Sequence, residues 1–448
     1  MNCRQHNLIF PPTILHTMAE TQKAVRWHPP SFDIRVESVP IPKIEHPDDV
    51  IVKVTLAALC GSDLHVYRGH AGVEKVHTCG HEFIGEVVSL GTSYGAGKSQ
   101  GRPALYSSLK VGHKVVSPFT SNCGECHVCR LGYTGRCPKG ALFGSAVLEG
   151  GQAQYVRVPT GGGTLFNLSD PSTWSSSLPK DVREKALGQI SDSSLLMLAD
   201  ILPTGVFAAT QALNHPKVAP VLTGRPWPLC FSPVVEQGNE VSLTAEDKVL
   251  TVAIVGLGPV GICAAVSLLD ALSTRKVPFK IVAIDLVEGR REKMKAVYGA
   301  IGESGKAGGE FAVCGIDEAK EKVKEWTDGI GTTAVLEVVG NTSALTLAYD
   351  LVRAFGAIVS VGVHGEPQLP LTGRQCYNKN VSFDFGRCPA RAMFPLAFDL
   401  LVKRQDVFGG VGEKASLIDK IADFSQAAEL YEEFDKSRIG KVIFDPWK

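Results

Sequence analysis

The segment that most restricts the fold is VLTVAIVGLGPVGICAAVSLL, residues 249–269, an uncharged stretch long enough to cross a bilayer. Its centre, however, is Gly256-Leu257-Gly258-Pro259-Val260-Gly261. Glycine and proline at that density break a continuous span, so the segment reads as a short buried strand, a tight turn and the first turns of a helix. Three further β-branched runs follow at helical intervals: KIVAID ending at Asp285, TTAVLEVVG ending at Gly340 and GAIVSVG ending at Gly362. Strands of this kind alternating with helices predict a parallel sheet in right-handed βαβ order.

A lone GxGxxG is a weak signal, but this one has a strand before it, a helix after it and an acid at the end of the next strand. Gly256, Gly258, Pro259, Val260 and Gly261 then form a turn whose backbone a pyrophosphate can approach, at a helix N-terminus that favours anions. Asp285, 24 residues beyond Gly261, would take ribose hydroxyls and repel a 2′-phosphate, which favours NAD over NADP. Arg290 and Arg291 beyond it leave NADP open. The bland alternative is a tight strand-to-helix turn that holds no nucleotide.

A second signal is NCGECHVCRLGYTGRC, with Cys123, Cys126, Cys129 and Cys137. Four cysteines at such spacing wrap one tetrahedral zinc and leave no open position, so the ion is structural and catalysis belongs elsewhere. A set of redox-active or merely buried thiols is the alternative. His127 inside this lobe reads as a surface residue. With 12 cysteines in 448 residues the chain is no disulfide scaffold. Its 46 basic and 46 acidic side chains cancel, which gives a nucleic-acid backbone no electrostatic attraction.

The third signal joins Cys60-Gly61-Ser62-Asp63-Leu64-His65 to Gly80-His81-Glu82-Phe83-Ile84-Gly85. Cysteine, histidine and carboxylate are the ligand types of a catalytic zinc, which uses three of them and keeps one position open. At these residues the chain resembles the zinc-dependent medium-chain alcohol dehydrogenases, in motif content and in motif order from about Lys23 to Ile443. GHEFIGEVVSLG fits the zinc signature of that family through Gly91, and Tyr94 departs from it. SPFTSNCGECHVC, GGQAQYVRVP and LADILPTG are most similar to the glutathione-independent formaldehyde dehydrogenase branch.

The resemblance implies an α/β protein: a GroES-like, β-rich catalytic domain, split in sequence around a Rossmann domain with a doubly wound parallel sheet. The expected division is an extension over 1–22, catalytic domain over 23–202 with the zinc lobe at 123–137, Rossmann domain over 203–385, and a return to the catalytic domain over 386–448. It implies Cys60, His81 and Asp200 as ligands of a catalytic zinc, hence two zinc ions per chain, with Glu82 able to approach the metal and Asp63 orienting His81. Ser62 and His65 match a proton relay, Phe119 a wall of the substrate pocket, and Thr204, Gly340 and Gly362 cofactor contacts. Cys79 reads as a packed small residue.

The expected activity is reversible hydride transfer between a small-molecule alcohol or aldehyde and NAD, in a cytoplasmic homo-oligomer, dimer or tetramer, with neither nucleic acid nor membrane as partner. A polyol or threonine dehydrogenase is the alternative within enzymes; a non-catalytic dinucleotide-binding or redox-sensing protein is the alternative outside them. The Gly/Ser/Pro-rich stretches 92–110 and 160–178 are expected to be surface loops, and 211–247 an excursion.

Overall fold

The structure, a computed structural model, describes residues 20–70, 72–95, 101–233, 242–365 and 368–448. Residues 1–19 of the expected extension, 96–100 of the first expected loop and 234–241 of the excursion lie outside the described residues. The uncharged run divides at its glycines into the strand Leu250–Val255 and the helix Pro259–Arg275. Alternate strand residues face opposite ways. Val252 and Ile254 pack with Ile262, Ala265 and Leu269 of that helix, whereas Ala253 and Val255 pack with Val323, Ala344 and Ala348 on the other face. A strand covered on both sides has no use for polar residues, which is why this one reads as continuous apolar sequence.

Six parallel strands form the sheet, in the order Gly309–Cys314, Phe279–Ile284, Leu250–Val255, Thr332–Glu337, Val352–Ser360 and Ser382–Phe385. The chain builds outward from Leu250–Val255 to one edge and then returns to build the other half. The order therefore reverses between Leu250–Val255 and Thr332–Glu337, and the carboxyl ends at that point form the crevice that doubly wound sheets use for ligands. Among the described residues no single helix is long and apolar enough to cross a membrane. One bent pair, Asp192–Ala199 with Ile201–Leu213, passes by length and composition, and its apolar side chains are buried in the core.

The β-rich part centres on Val50–Ala58, which pairs antiparallel with Glu82–Leu90, with Tyr155–Val158 and, at its end, with Lys441–Phe444. The last strand of the chain thus completes a sheet begun near residue 50, across the whole parallel-sheet segment. Ala58 stands opposite both Glu82 and Ile443, a register that brings residue 441 to the start of the Glu82 strand. The 202/203 boundary falls inside the helix Ile201–Leu213, which packs against Pro259–Arg275 and so joins the two parts.

Both expected surface loops, though partly exposed, contribute buried residues to the core. In 160–178, Gly161–Thr164 is a short buried helix and Phe166–Asn167 a buried strand. A Cβ on Gly163 would lie 2.3 Å from the Cys123 backbone, and Thr164 Oγ1 accepts the Asn122 N–H at 2.8 Å. These glycines permit close packing under the four-cysteine lobe; they do not loosen a loop. Gly163→Ala is expected to destabilise the protein by about 1–3 kcal/mol, the usual cost of overpacking, read as a lower midpoint in a urea melt.

In 92–110, Leu105, Tyr106 and Leu109 are buried, and Arg102 stacks on Tyr106 while pairing with Asp48 and Glu125. Tyr94, the departure from the signature, has a job of its own. Its hydroxyl donates to the Asp48 carbonyl at 2.9 Å and accepts from the Gly162 N–H at 2.7 Å.

Candidate active site

Three separate elements converge beside the carboxyl ends of the parallel sheet. Cys60 follows the strand Val50–Ala58, His81 immediately precedes Glu82–Leu90, and Asp200 stands at the N-cap of the helix Ile201–Leu213. One ligand atom from each of Cys60, His81, Glu82 and Asp200 lies within 4.8 Å of the others. His81 Nε2 is 3.3 Å from Asp200 Oδ2 and 3.9 Å from Glu82 Oε1, and Cys60 Sγ is 3.7 Å from Asp200 Oδ2. A buried thiol, an imidazole and carboxylates aimed at one point suit a borderline-soft divalent ion, and zinc accepts all three donor types.

The surroundings fix these donors. Asp63 Oδ1 accepts from His81 Nδ1 at 3.1 Å, which holds the ring with Nε2 turned to the centre, where it donates to Asp200 and where a bound metal would take the place of that hydrogen. The other oxygen of Asp63 accepts the Cys60 N–H at 2.9 Å, so one carboxylate sets two of the converging residues. Thr204, one turn along the helix, donates its hydroxyl to Asp200 Oδ1 at 2.8 Å and leaves Oδ2 for the centre. Burial pushes the Asp200 carboxyl up, but hydrogen bonds from His81 and Thr204 outweigh it and hold the group below its ordinary range. Burial raises the Cys60 thiol, so a cation is needed to make it a thiolate at neutral pH.

Glu82 meets a residue that the sequence reading did not single out. Lys441 Nζ lies 2.6 Å from both carboxylate oxygens, and the side chains are 1% and 0% exposed. Burial alone would lower the Lys441 pKa; the charges of Glu82 and Cys60 raise it. Nothing in the local sequence GKVIF marks this lysine as buried, because its partner lies 359 residues away.

Ser62 Oγ is 3.2 Å from His81 Nε2, at the rim of the centre. His65, on the helix Asp63–Tyr67, is half-buried with its pKa lowered by burial. It does not touch Ser62 through its ring in the contacts among the described residues, so the two do not form a relay by themselves. The Phe119 ring is edge-on to His81 at 6.4 Å. Cys79 is buried, its thiol pushed up to about 12 by desolvation, as a packed residue.

The four-cysteine lobe is a second cluster, with all four Sγ atoms within 4.8 Å. Cys123 and Cys137 sulfurs are 3.6 Å apart, too far for a disulfide. Backbone N–H groups of Glu125 and Cys126 point at Cys123 Sγ, that of Cys129 at Cys126 Sγ and that of Cys123 at Cys137 Sγ; the bond from Cys129 lowers the Cys126 thiol to about 7, whereas burial outweighs the bonds at Cys123 and raises it. His127 is exposed.

Across the crevice, Gly256 has φ +98° and a Cβ on Gly261 would lie 1.9 Å from the Gly256 carbonyl, so the turn demands glycine at both places. A Cβ on Gly258 would meet nothing within 4 Å; it faces open space at the N-cap of the helix, with Pro259 and Val260 in its first turn. Asp285 accepts the Leu257 and Val287 N–H groups, both at 2.8 Å, and Arg290 sits 3.6 Å from it. Arg291 donates instead to the carbonyls of Asp285 and Leu286. At or just beyond the ends of four of the six strands an apolar side chain is left in the open: Leu286 at 76%, Val339 at 42%, Val363 at 52% and Phe385 at 44% exposure. A row of uncovered apolar residues beside a glycine turn is a groove for a ligand with flat apolar parts and an anionic middle. Gly340 and Gly362 lie in this row, packed against each other.

A split β-rich domain with two clusters of metal-ligating residues, set against a doubly wound sheet with a glycine-turn crevice, defines the zinc-containing medium-chain dehydrogenases. Residues 46–170 match the alcohol dehydrogenase GroES-like domain, and residues 259–403 match the zinc-binding dehydrogenase family. The chain belongs to the zinc-type alcohol dehydrogenase family and is an oxidoreductase of that class. It is 37% identical to zinc-type alcohol dehydrogenase B of Aspergillus flavus over 98% of this chain and 84% of that one. It is 28% identical to formaldehyde dismutase of Pseudomonas putida, over 95% and 97%. In fold it is similar to the alcohol dehydrogenase TADH from Thermus sp. ATN1, with TM-score 0.66 and 24% identity over 94% and 99% of the two chains.

Proposed function

We propose that the protein transfers hydride between a small alcohol, or a hydrated aldehyde, and NAD, giving an aldehyde or ketone in a reversible reaction. The observation that carries this reading is the convergence of Cys60, His81 and Asp200 within 4.8 Å, with Glu82 beside them. In this reading Cys60, His81 and Asp200 hold a catalytic zinc, and Cys123, Cys126, Cys129 and Cys137 hold a structural one, two per chain. Zinc supplies a Lewis acid for an alcohol oxygen, and the nicotinamide supplies the hydride acceptor.

The chain's own residues do the rest. Asp63 and Thr204 keep His81 and Asp200 aimed, so the donors need no rearrangement. Buried Phe119 keeps water from one side of the centre. Ser62 would take the alcohol proton and His65 would pass it to solvent once the ribose of a bound cofactor bridges the two; burial lowers the His65 pKa and so favours the neutral ring that can accept a proton. Gly256, Gly258, Pro259, Val260 and Gly261 cradle the pyrophosphate, Asp285 takes the adenosine ribose, and Gly340, Gly362 and Thr204 border the nicotinamide. The division into 23–202, 203–385 and 386–448, a cytoplasmic location and a symmetric dimer or tetramer belong to the same reading.

The test is NADH formation by zinc-replete protein offered formaldehyde, primary alcohols, secondary alcohols and polyols in parallel. Turnover on one class that is lost on chelation, with about two zinc per chain by elemental analysis, is expected. Silence across the panel with both NAD and NADP would overturn the reading. Asp285→Ala is expected to raise the NADP-to-NAD ratio of kcat/KM about tenfold, because it removes a ribose partner and a charge that repels a 2′-phosphate.

A further inference from the structure

Glu337, the last residue of the strand Thr332–Glu337, is 0% exposed, and its one ion-pair partner among the described residues is the ring of His364. Its Oε1 accepts the Val339 N–H at 2.8 Å and the Gly340 N–H at 2.7 Å. Its Oε2 accepts the Ser360 hydroxyl at 2.6 Å and stands 3.1 Å from His364 Nε2, which is also 2.7 Å from Ser360 Oγ. A carboxylate only accepts, and the single hydroxyl hydrogen of Ser360 is spent on Glu337. Nε2 therefore carries the hydrogen of the His364 ring and donates it between those two oxygens. All four acceptor positions of the buried carboxylate are filled, and His364 fills the last.

The same ring stands edge-on to Phe385 at 5.3 Å. One side chain thereby ties the ends of three neighbouring strands, Thr332–Glu337, Val352–Ser360 and Ser382–Phe385. These ends carry the exposed Val339, Val363 and Phe385, and they hold Gly340 against Gly362, where a Cβ on Gly362 would lie 2.2 Å from the Gly340 nitrogen. Val339 also borders the glycine turn, 2.6 Å from where a Cβ on Gly256 would be. The platform is continuous from the glycine turn through Val339, Gly340 and Gly362 to Val363, and it is held in register by a histidine outside the zinc and relay residues.

We propose that His364 is a positioning residue for the nicotinamide half of the dinucleotide, fixing the turns at Val339–Gly340 and Gly362–Val363 and the ring of Phe385 as one surface. The proposal rests on the cofactor reading above and assigns within it a residue that touches neither metal nor alcohol.

The experiment is an NADH fluorescence titration of the zinc-loaded protein, with thermal midpoint and zinc content measured on each variant. His364→Ala is expected to raise the NADH Kd about tenfold, the factor that 1.4 kcal/mol represents, and to raise KM for NAD in step. KM for the alcohol and zinc content stay at their wild-type values. His364→Gln keeps an N–H donor and is expected to remain within about threefold of wild type, whereas His364→Phe keeps the ring edge without the donor and behaves as His364→Ala. A Kd for His364→Ala within about twofold of wild type, beside a lowered thermal midpoint, would make the residue merely structural and overturn the proposal. A wild type that takes no NADH would instead overturn the cofactor reading, and this proposal with it.

Discussion

His81→Ala is expected to lower turnover by about a thousandfold or more and to reduce bound zinc from about two ions per chain to one. The size follows from the geometry. His81 is 4% exposed, and its Nε2 points at the same centre as Cys60 Sγ and Asp200 Oδ2. Alanine leaves the Cys60 thiol and the Asp200 carboxylate, with Glu82 engaged by Lys441, too few free donors to hold a divalent ion against water, and several kcal/mol of charge stabilisation go with it. The four-cysteine lobe draws its ligands from residues 123–137, with none from the His81 centre, so its ion serves as an internal reference on the same sample. Elemental analysis and the NADH assay read the two effects separately. Full activity in His81→Ala would put the catalytic centre elsewhere, and loss of both ions would mean that the variant had misfolded.

What the sequence disclosed about this site, and what it hid, divides by how local each requirement is. Gly256 and Gly261 are needed by a turn six residues long, and Cys123 to Cys137 by one ion within one lobe, so both patterns are written in adjacent residues. Cys60, His81 and Asp200 are far apart in sequence, and the resemblance to a family linked them where spacing did not. The misjudged stretches fail for the converse reason. Gly162 and Gly163 look like loop punctuation, yet the Tyr106 ring and the Cys123 backbone occupy the space their side chains would need.

Lys441 and His364 were invisible because a charged or polar residue in a β-rich run carries no local sign of the acid it will meet. Glu82 and Glu337 bring those acids from other strands. Thr204, expected at the cofactor, also donates its hydroxyl to Asp200, a second task that periodicity alone could not show. Buried polar pairs between distant segments are thus where local reading stops.

Lys441→Met is expected to destabilise the protein by about 3–5 kcal/mol, the usual penalty for removing one partner of a buried ion pair. Methionine nearly matches lysine in length and restores most of the packing, so lost volume accounts for little of the effect. What remains is a carboxylate 0% exposed, deprived of the ammonium that met both of its oxygens at 2.6 Å. It must take up a proton or stay charged without a partner, and either course is costly in the folded state alone.

The sign is set by burial: the unfolded chain gives both groups water, so the single change weakens the native state and leaves the denatured one almost untouched. Glu82→Gln with Lys441→Met replaces the charges by neutral groups of similar shape and should recover most of the loss. Urea melts of the wild type, both single variants and the double variant close the cycle. A cost for Lys441→Met below about 1 kcal/mol would mean that water reaches Glu82, at odds with its burial.

Activity in the double variant then separates two roles for the pair. Glu82 Oε1 is 3.9 Å from His81 Nε2, near enough for the carboxylate to enter the metal centre when its lysine lets go. A stable double variant with wild-type rates would make the pair a tether between the strands Glu82–Leu90 and Lys441–Phe444, one from each part of the split domain. A stable one with slowed turnover would make the charge on Glu82 part of the reaction.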